Sequence, residues 1–272
     1  MILRPHMLIL GLGYSAGHLA DRLRADGWRV TGVRRAAGPG VIAFDDEAVV
    51  RAAIAGASHI LSSVPPVDGV DPVLARYGDA IAAAPVSWVG YLSSTGVYGD
   101  AKGAWVDEGS ATGTGRRAAR AVADAAWGAL RDRVYRFRLP GIYGPGRSAL
   151  ERVREGRAHR IDLPGQIFSR IHVDDIVGGV IASFDGPPGA YNLADDLPCP
   201  QNRVIEDACT MLGVEPPPLL TLEQAQLSAM ALGFYAENRR VANGRAKRLL
   251  GWSPRFPTWR EGLVDCFART VL

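Results

Sequence analysis

Short apolar runs alternate with amphipathic stretches through the first half of the chain. This alternation predicts a parallel sheet whose faces are covered by helices. Six runs are predicted as strands: Met7 to Leu10, Trp28 to Val33, Val41 to Phe44, His59 to Ser63, Trp88 to Ser93 and Val134 to Leu139. Between the first two, apolar residues recur at the spacing of one buried helix face, at Ala16, Leu19, Ala20 and Leu23. Gly27 follows where a helix C-terminal cap belongs.

The regular alternation stops after Leu139. Turn-forming residues then mark a crossing out of the sheet, at Pro140, Gly141, Gly144, Pro145 and Gly146. Helical patterns follow over Ser148 to Gly156, Asp174 to Ser183, Gln201 to Leu212, Leu222 to Leu232 and Trp259 to Val271. One short strand, Ala190 to Leu193, is expected to return to the sheet. We therefore expect a sheet domain, residues 1–144 and 171–198, and a small cap, residues 145–170 and 199–272.

The composition of the 272 residues is that of a globular protein, with 47% apolar and 22% charged residues. The net charge of +3 and the scattered basic residues argue against a nucleic-acid partner. No apolar run reaches the roughly 18 residues of a membrane span, and the segment from Met1 to Leu10 feeds directly into a glycine motif. Cys199, Cys209 and Cys266 lack metal-ligand spacing and are interpreted as reduced packing residues. We expect a cytoplasmic protein with no metal and no membrane segment.

A glycine-rich turn follows the first predicted strand. The segment from Gly11 to Gly17 fits the pattern G-x-G-x-x-A, in which the first glycine makes a tight turn and the second lets the backbone approach a pyrophosphate. The helix that follows offers unpaired N–H groups to the phosphates. The motif predicts dinucleotide binding, and a merely structural turn is the alternative. The predicted contacts are Gly11, Gly13, Tyr14, Ser15 and Ala16.

Two arginines stand where NAD-binding proteins carry an acidic residue for the ribose hydroxyls. Arg34 lies 21 residues after Gly13, and Arg35 follows it. A guanidinium suits a 2′-phosphate and offers no acceptor to a 2′-hydroxyl, which favours NADP and leaves NAD as the other cofactor. Two solvated arginines at a strand end are the alternative reading. Asp45, after the third predicted strand, is placed at the adenine edge or in an ordinary turn.

An ordered series of motifs resembles the extended short-chain dehydrogenases/reductases, which include the NAD-dependent epimerase/dehydratase family. The matching segments are Tyr91 to Asp100, Arg138 to Arg147, Ile171 to Ile176, Ala190 to Leu193 and Leu250 to Pro254. They occur in the family's order and cover nearly the whole chain. The resemblance implies an α/β fold, a Rossmann-type doubly wound parallel sheet with a small, mostly helical C-terminal cap.

The resemblance also implies an active site, from which this chain departs. Ser94 matches the residue that hydrogen-bonds the reacting substrate oxygen, unless it only ties up local backbone. The family's proton-transfer Tyr and its Lys four positions later correspond to Arg116 and Arg120. Arginine stays protonated in proteins, so Arg116 cannot pick up and return a proton. The two arginines are expected either to hold an anion, with Arg120 at the cofactor ribose, or to form a solvated basic helix face.

Three residues are candidates for the missing base. Tyr143 lies in the turn at the carboxyl edge of the sheet, where ligands of open α/β sheets bind. His172 has an ordinary pKa near 6.5. Tyr98 is placed either in this role or in substrate binding. The alternative is that Tyr143 only packs and that His172 only caps a helix.

The resemblance and the arginines together predict an NADP-dependent oxidoreductase or epimerase that transfers hydride on a hydroxyl or carbonyl. Arg116, Arg147 and Arg170 near the predicted cleft indicate an anionic substrate such as a nucleotide sugar. The missing Tyr and Lys favour an alternative, a catalytically silent NADP-binding sensor or scaffold. A fold that carries no dinucleotide is a third reading, and a homodimer is left open.

Overall fold

A computed structural model describes residues 4–115 and 118–270 of the chain. Within these residues the central sheet has seven parallel strands in the order β11-β7-β5-β4-β1-β2-β3. The strands are β1 (His6–Leu10), β2 (Arg29–Arg34), β3 (Val41–Ala43), β4 (His59–Ser62), β5 (Trp88–Ser94), β7 (Val134–Leu139) and β11 (Gly189–Asn192). The order reverses between β1 and β4, which is where ligands of doubly wound sheets bind.

Helices cover both faces of the sheet. One apolar layer lies under α1 (Tyr14–Ala25) and α6 (Val173–Ala182). The other lies under α2 (Glu47–Ala55), α3 (Pro72–Ala83) and α4 (Ala118–Ala129). The strands between them are buried on both faces, which explains their continuous apolar runs. The predicted doubly wound α/β sheet is confirmed.

The strand predictions agree closely with the structure. All six strands of the first half are present, each with ends within one residue of the prediction, and the predicted returning strand is β11. Gly27 follows the C-cap residue Asp26 of α1 and has a φ of +83°, the left-handed conformation that glycine adopts without strain.

Smaller two-stranded sheets lie outside the central sheet. Three two-stranded parallel pairs join β8 (Gly141–Tyr143) to β10 (Arg170–His172), β9 (Arg160–Ile161) to β12 (Leu219–Leu220), and β6 (Trp105–Val106) to β13 (Arg240–Val241). A separate apolar cluster lies among α5 (Ala149–Arg154), α7 (Gln201–Leu212) and α10 (Trp259–Thr270). The division into a sheet domain and a discontinuous cap stays a prediction, which this separate cluster supports.

The helix predicted over Leu222 to Leu232 is wrong. Residues 222–226 form turns, and the helix α8 covers Ala229–Tyr235. The backbone N–H of Gln224 bonds the Thr221 hydroxyl, and Ser228 accepts from the N–H of Ala231, so a side-chain cap starts the helix later than the apolar spacing suggests. The helix α9 (Gly244–Leu250) is an addition to the prediction.

None of the helices in the described ranges has the length and apolar character needed to cross a bilayer. Cys199, Cys209 and Cys266 are buried and free. In the same ranges no three His, Cys, Asp or Glu side chains gather into a metal-binding group.

Candidate active site

The turn between β1 and α1 is shaped by its glycines. Gly11 has a φ of +92°, and a Cβ there would lie 2.7 Å from the Val64 side chain, so other residues would clash and strain the backbone. A Cβ at Gly13, in contrast, would meet nothing within 4 Å. The turn therefore exposes its backbone to the open side of the sheet edge.

The amino end of α1 fits a dinucleotide pyrophosphate. Gly13 is the N-cap and has no side chain to satisfy the first N–H groups of the helix. The N–H groups of Tyr14, Ser15 and Ala16, in the first turn of the helix, are therefore available to an anion that approaches over Gly13. Of the predicted contacts of this loop, Gly13, Tyr14, Ser15 and Ala16 line one cleft, whereas Gly11 is not among its lining residues.

Tyr14 also ties the loop to the opposite wall. Its hydroxyl donates to the Pro145 carbonyl at 3.0 Å, and the Arg147 guanidinium lies 5.4 Å above its ring. A Cβ at Gly144 would stand 2.6 Å from the same hydroxyl, so the turn after β8 needs glycine for this approach. Burial raises the pKa of Tyr14, which keeps the hydroxyl protonated as the donor.

The arginines at the end of β2 differ in their contacts. Arg34 donates from Nε to the carbonyl of Leu12 at 2.7 Å, so its guanidinium is held beside the glycine turn. Arg35 is exposed next to it. Asp45 is exposed and pairs with Arg76, which also contacts Glu47. Asp45 therefore belongs to a surface ion-pair group, beyond the residues that line the cleft.

A cleft of about 1010 Å³ runs from this turn along the carboxyl edge of the sheet. Its first part is lined by Gly13 to Ala16, Ser63, Ser94 and Arg120, and its middle by Pro140 to Ile142 and Arg147. Its far part is lined by α5, the segment before β10, and α8. The basic lining residues are Arg120, Arg147, Arg152, Arg157, His159, Arg170 and Arg239. The acidic member of the described lining is Glu237.

Ser94 lies at the end of β5, on the wall of this cleft. Its Oγ accepts the N–H of Gly96 at 3.1 Å and starts a short 3-10 helix, which leaves its own O–H free to donate. The preceding Ser93 side chain turns away and donates to buried Asp124 at 2.7 Å. The alternation of strand side chains thus separates a residue facing the cleft from one facing the interior.

Of the two arginines at the family's Tyr and Lys positions, Arg116 lies outside the described residues. Arg120 is on α4 and lines the cleft beside the Tyr91 hydroxyl. Burial raises the pKa of Tyr91 to about 12, against the opposing effect of the Arg120 charge. The cleft thus carries a permanent positive charge at the place of the family's Lys.

Tyr98 is part of a buried network and is not among the residues that line the cleft, so its role toward the substrate or in proton transfer stays a prediction. Its hydroxyl donates to Asn192 at 2.7 Å and accepts from Arg138 at 3.0 Å. Arg138 in turn pairs with Asp124 at 2.8 Å. All four residues are buried, and the network joins the short 3-10 helix after β5 to β7, β11 and α4.

Tyr143 and His172 are not among the residues that line the cleft, and their catalytic role stays a prediction. The Tyr143 hydroxyl is buried against α10, where a Cβ on Gly262 would collide with it. His172 is fully buried, and its Nδ1 accepts the N–H of Asp174 at 3.2 Å as the N-cap of α6. Burial lowers the pKa of His172 to about 4. Packing and capping are the roles that these contacts describe.

The far part of the cleft contains residues that the sequence reasoning missed. Arg170, which was predicted, is held by the carbonyls of Phe168 and Cys199 and by Gln201. Arg152 and Tyr235 join it from α5 and α8. Arg152 and Tyr235 are about 80 residues apart in the sequence. The helix that carries Tyr235 was also predicted to start several residues before its actual start, so no local spacing could have identified these two residues.

Solved structures of several proteins resemble the whole chain. A functionally unknown conserved protein from Silicibacter pomeroyi is 41% identical, with 97% of this chain and 99% of that chain covered at a TM-score of 0.86. The human epimerase family protein SDR39U1, solved with NADPH, is 20% identical over 96% and 98% of the two chains, at a TM-score of 0.78. MoeE5, solved with UDP-glucose and NAD, is 20% identical over 98% and 100%, at a TM-score of 0.74.

A curated relative matches a shorter segment. The 3-diazoavenalumate denitrifying reductase of a Streptomyces species is 32% identical over 139 residues, which are 47% of this chain. The chain thus spans 45%, less than half, of the length of that relative. No known family model matches the sequence. The fold is that of the extended short-chain dehydrogenases/reductases of the NAD-dependent epimerase/dehydratase type, and the chain belongs to the same family as the conserved Silicibacter pomeroyi protein.

Proposed function

We propose that this protein is an NADP-dependent oxidoreductase that moves a hydride between its cofactor and a hydroxyl or carbonyl of an anionic substrate. The observation that carries the proposal is one continuous cleft. It contains the glycine turn, the Ser94 hydroxyl and an excess of arginines. A cofactor on the turn, a reacting oxygen at Ser94 and an anion on the arginines fit into the same space.

The choice of NADP depends on Arg34 and Arg35. Both stand at the end of β2, at the place from which such folds contact the adenosine ribose. Arg34 is held beside the glycine turn by Leu12, so its charge lies close to a 2′-phosphate there. The SDR39U1 structure with NADPH supports this cofactor. MoeE5, which has the same fold, was solved with NAD and supports the other cofactor.

The cofactor, when bound, supplies or accepts the hydride. The Ser94 O–H donates a hydrogen bond to the reacting oxygen and stabilises the negative charge that develops there as the hydride reaches the carbonyl carbon. Water entering the open cleft supplies the proton that completes the hydroxyl, and in the oxidising direction water takes that proton up. Arg120 adds a fixed positive charge on the same side. Arg147 and Arg152 attract the anionic part of the substrate toward the far part of the cleft. The reductase from Streptomyces supports a reducing direction, and MoeE5 supports a nucleotide sugar as one substrate class.

NADPH oxidation across a panel of nucleotide sugars and small carbonyl compounds tests this proposal. We expect turnover with at least one anionic carbonyl and a fall of about 100-fold in kcat/KM for Ser94→Ala, because the developing charge loses its donor. Ser87→Ala is the matched control, since the exposed Ser87 hydroxyl bonds only the Ser58 carbonyl in the described structure. Equal activities of wild type and Ser94→Ala would contradict the role of Ser94.

A catalytically silent NADP-binding sensor or scaffold is the second candidate. The observation favouring it is the arginine at the Lys position, since this side chain cannot exchange a proton. Tight NADPH binding with no turnover across the panel would favour this candidate.

A cytoplasmic location is supported by three free buried cysteines, and the homodimer stays a prediction.

A further inference from the structure

The far part of the cleft places aromatic rings next to guanidinium groups. Phe168 precedes β10, and Tyr235 is the last residue of α8. Their ring centroids are 5.5 Å apart with an interplanar angle of 87°, an edge-to-face pair, and both residues line the cleft. The pair forms a preorganised apolar corner with a shape suited to a flat ring.

Two arginines flank this corner and differ in how far they are engaged. Arg170 lies 6.0 Å from the centre of the Phe168 ring, but its donors are taken by Phe168, Cys199 and Gln201. Arg152 is exposed on α5, and its positive charge acts on Tyr235, where it lowers a pKa that burial raises. Arg152 is therefore the guanidinium placed to receive an anion beside the ring.

Several other charged and polar groups of this part are engaged with the protein. Arg157 pairs with Glu155, and Arg239 pairs with Glu237. The Ser169 hydroxyl accepts the N–H of Val241. The wall beside the two rings also includes the apolar side chains of Ile167, Ile205 and Leu227. Next to the rings, a sugar would bury some of its hydroxyl groups against apolar side chains, and unpaired burial of such groups is costly.

We propose that this corner binds a planar aromatic carboxylate, with the ring against Phe168 and Tyr235 and the carboxylate on Arg152. The inference rests on the proposed function, for which it names the substrate class in place of a nucleotide sugar. A flat ring gains both edge contacts and apolar burial here, and an exposed arginine next to an apolar wall makes a charge-assisted bond to the carboxylate.

Calorimetric titration with trans-cinnamate tests the proposal, with and without saturating NADPH. We expect binding of trans-cinnamate, weaker binding of cyclohexanepropionate, which has the same charge but no flat ring, and no binding of UDP-glucose. Arg152→Gln should raise the Kd of trans-cinnamate by about 10-fold or more. Tyr235→Leu should raise it by about 3-fold to 10-fold. The matched control is Arg154→Gln, because Arg154 is exposed on the same helix but lies over Phe267, away from the corner.

The outcomes separate this inference from the proposed function. Equal affinity of wild type and Arg152→Gln for trans-cinnamate, no binding of trans-cinnamate, or binding of UDP-glucose that depends on Arg152 would overturn the inference. Failure of NADPH to bind would overturn the proposed function, while the titration without cofactor still reports on the aromatic acid. NADPH affinity should be the same in all three variants, because their altered residues are on α5 and α8, which do not form the glycine turn.

Discussion

The two ends of the cleft are built in different ways. At the cofactor end, one continuous segment from Leu10 to Ala16 presents backbone N–H groups and a missing Cβ. At the substrate end, side chains from α5, the segment before β10, and α8 converge from distant parts of the chain. Backbone recognition depends on local conformation, whereas side-chain recognition depends on tertiary packing. The first end is therefore sensitive to added volume, and the second to lost charge or lost rings.

Gly13→Val should cause the largest loss of NADPH affinity among these variants, because it blocks the cofactor end of the cleft. Gly13 has a φ of −94° and a ψ of −162°, which any residue adopts, and a Cβ there meets no protein atom within 4 Å. We expect the free energy of unfolding to stay within about 0.5 kcal/mol of wild type. The added side chain fills the pyrophosphate space, so the Kd of NADPH should rise on the order of 100-fold, about 2.7 kcal/mol, in a fluorescence titration.

Gly17→Ala is the matched control within the same helix. A Cβ at Gly17 also meets nothing within 4 Å, but Gly17 lies one turn further along α1 and does not line the cleft. NADPH affinity should stay unchanged, and the free energy of unfolding should rise by roughly 0.5–1 kcal/mol. Equal NADPH affinity in Gly13→Val and wild type would contradict the placement of the pyrophosphate.

Asp195→Asn sharpens the comparison at the substrate end. Asp195 is buried behind Arg170, whose carbonyl accepts its N–H at 2.7 Å, and burial raises the pKa of Asp195 to about 8. The folded protein thus keeps a proton that the unfolded chain releases from about pH 4 upward. This group's stabilising contribution is present below that pH and is lost as the pH rises to about 8.

Asparagine has nearly the same shape and carries no charge, so the variant lacks this loss. We expect the free energy of unfolding of Asp195→Asn, relative to wild type, to increase by about 4 kcal/mol between pH 5 and pH 9 in urea unfolding. Asp196→Asn is the control, because Asp196 is exposed and pairs with Lys247 on the surface. A difference that does not change with pH for Asp195→Asn would show that the carboxyl ionises freely in the folded protein.

The same contrast explains what the sequence could predict. The sheet and the glycine turn could be predicted from local spacing. Strands buried on both faces give continuous apolar runs, and the turn gives small residues at fixed spacing. Tyr143 and His172 were chosen for their closeness to the sheet edge along the chain, which does not state which way a side chain points. Tyr143 turns into the cluster with α10, and His172 caps α6.

The substrate end could not be predicted in this way. Phe168, Arg152 and Tyr235 meet only after three segments have packed together, and α8 starts at a serine cap that apolar spacing does not reveal. Arg170 was identified because it is one of three arginines near the predicted cleft, but it donates hydrogen bonds within the protein, to Phe168, Cys199 and Gln201. Charge is readable from a sequence, whereas the partners of that charge depend on the fold.

The central claim is that the glycine turn and the two arginines after it bind NADPH. The most direct test titrates NADPH and NADH into wild type and into the double variant with Arg34→Gln and Arg35→Gln. We predict a wild-type preference for NADPH of about 10-fold or more, which the variant loses while its affinity for NADH is unchanged. Arg22→Gln, at the exposed far end of α1, should keep the preference. Equal wild-type affinity for both cofactors, or a preference that survives in the double variant, would contradict the account.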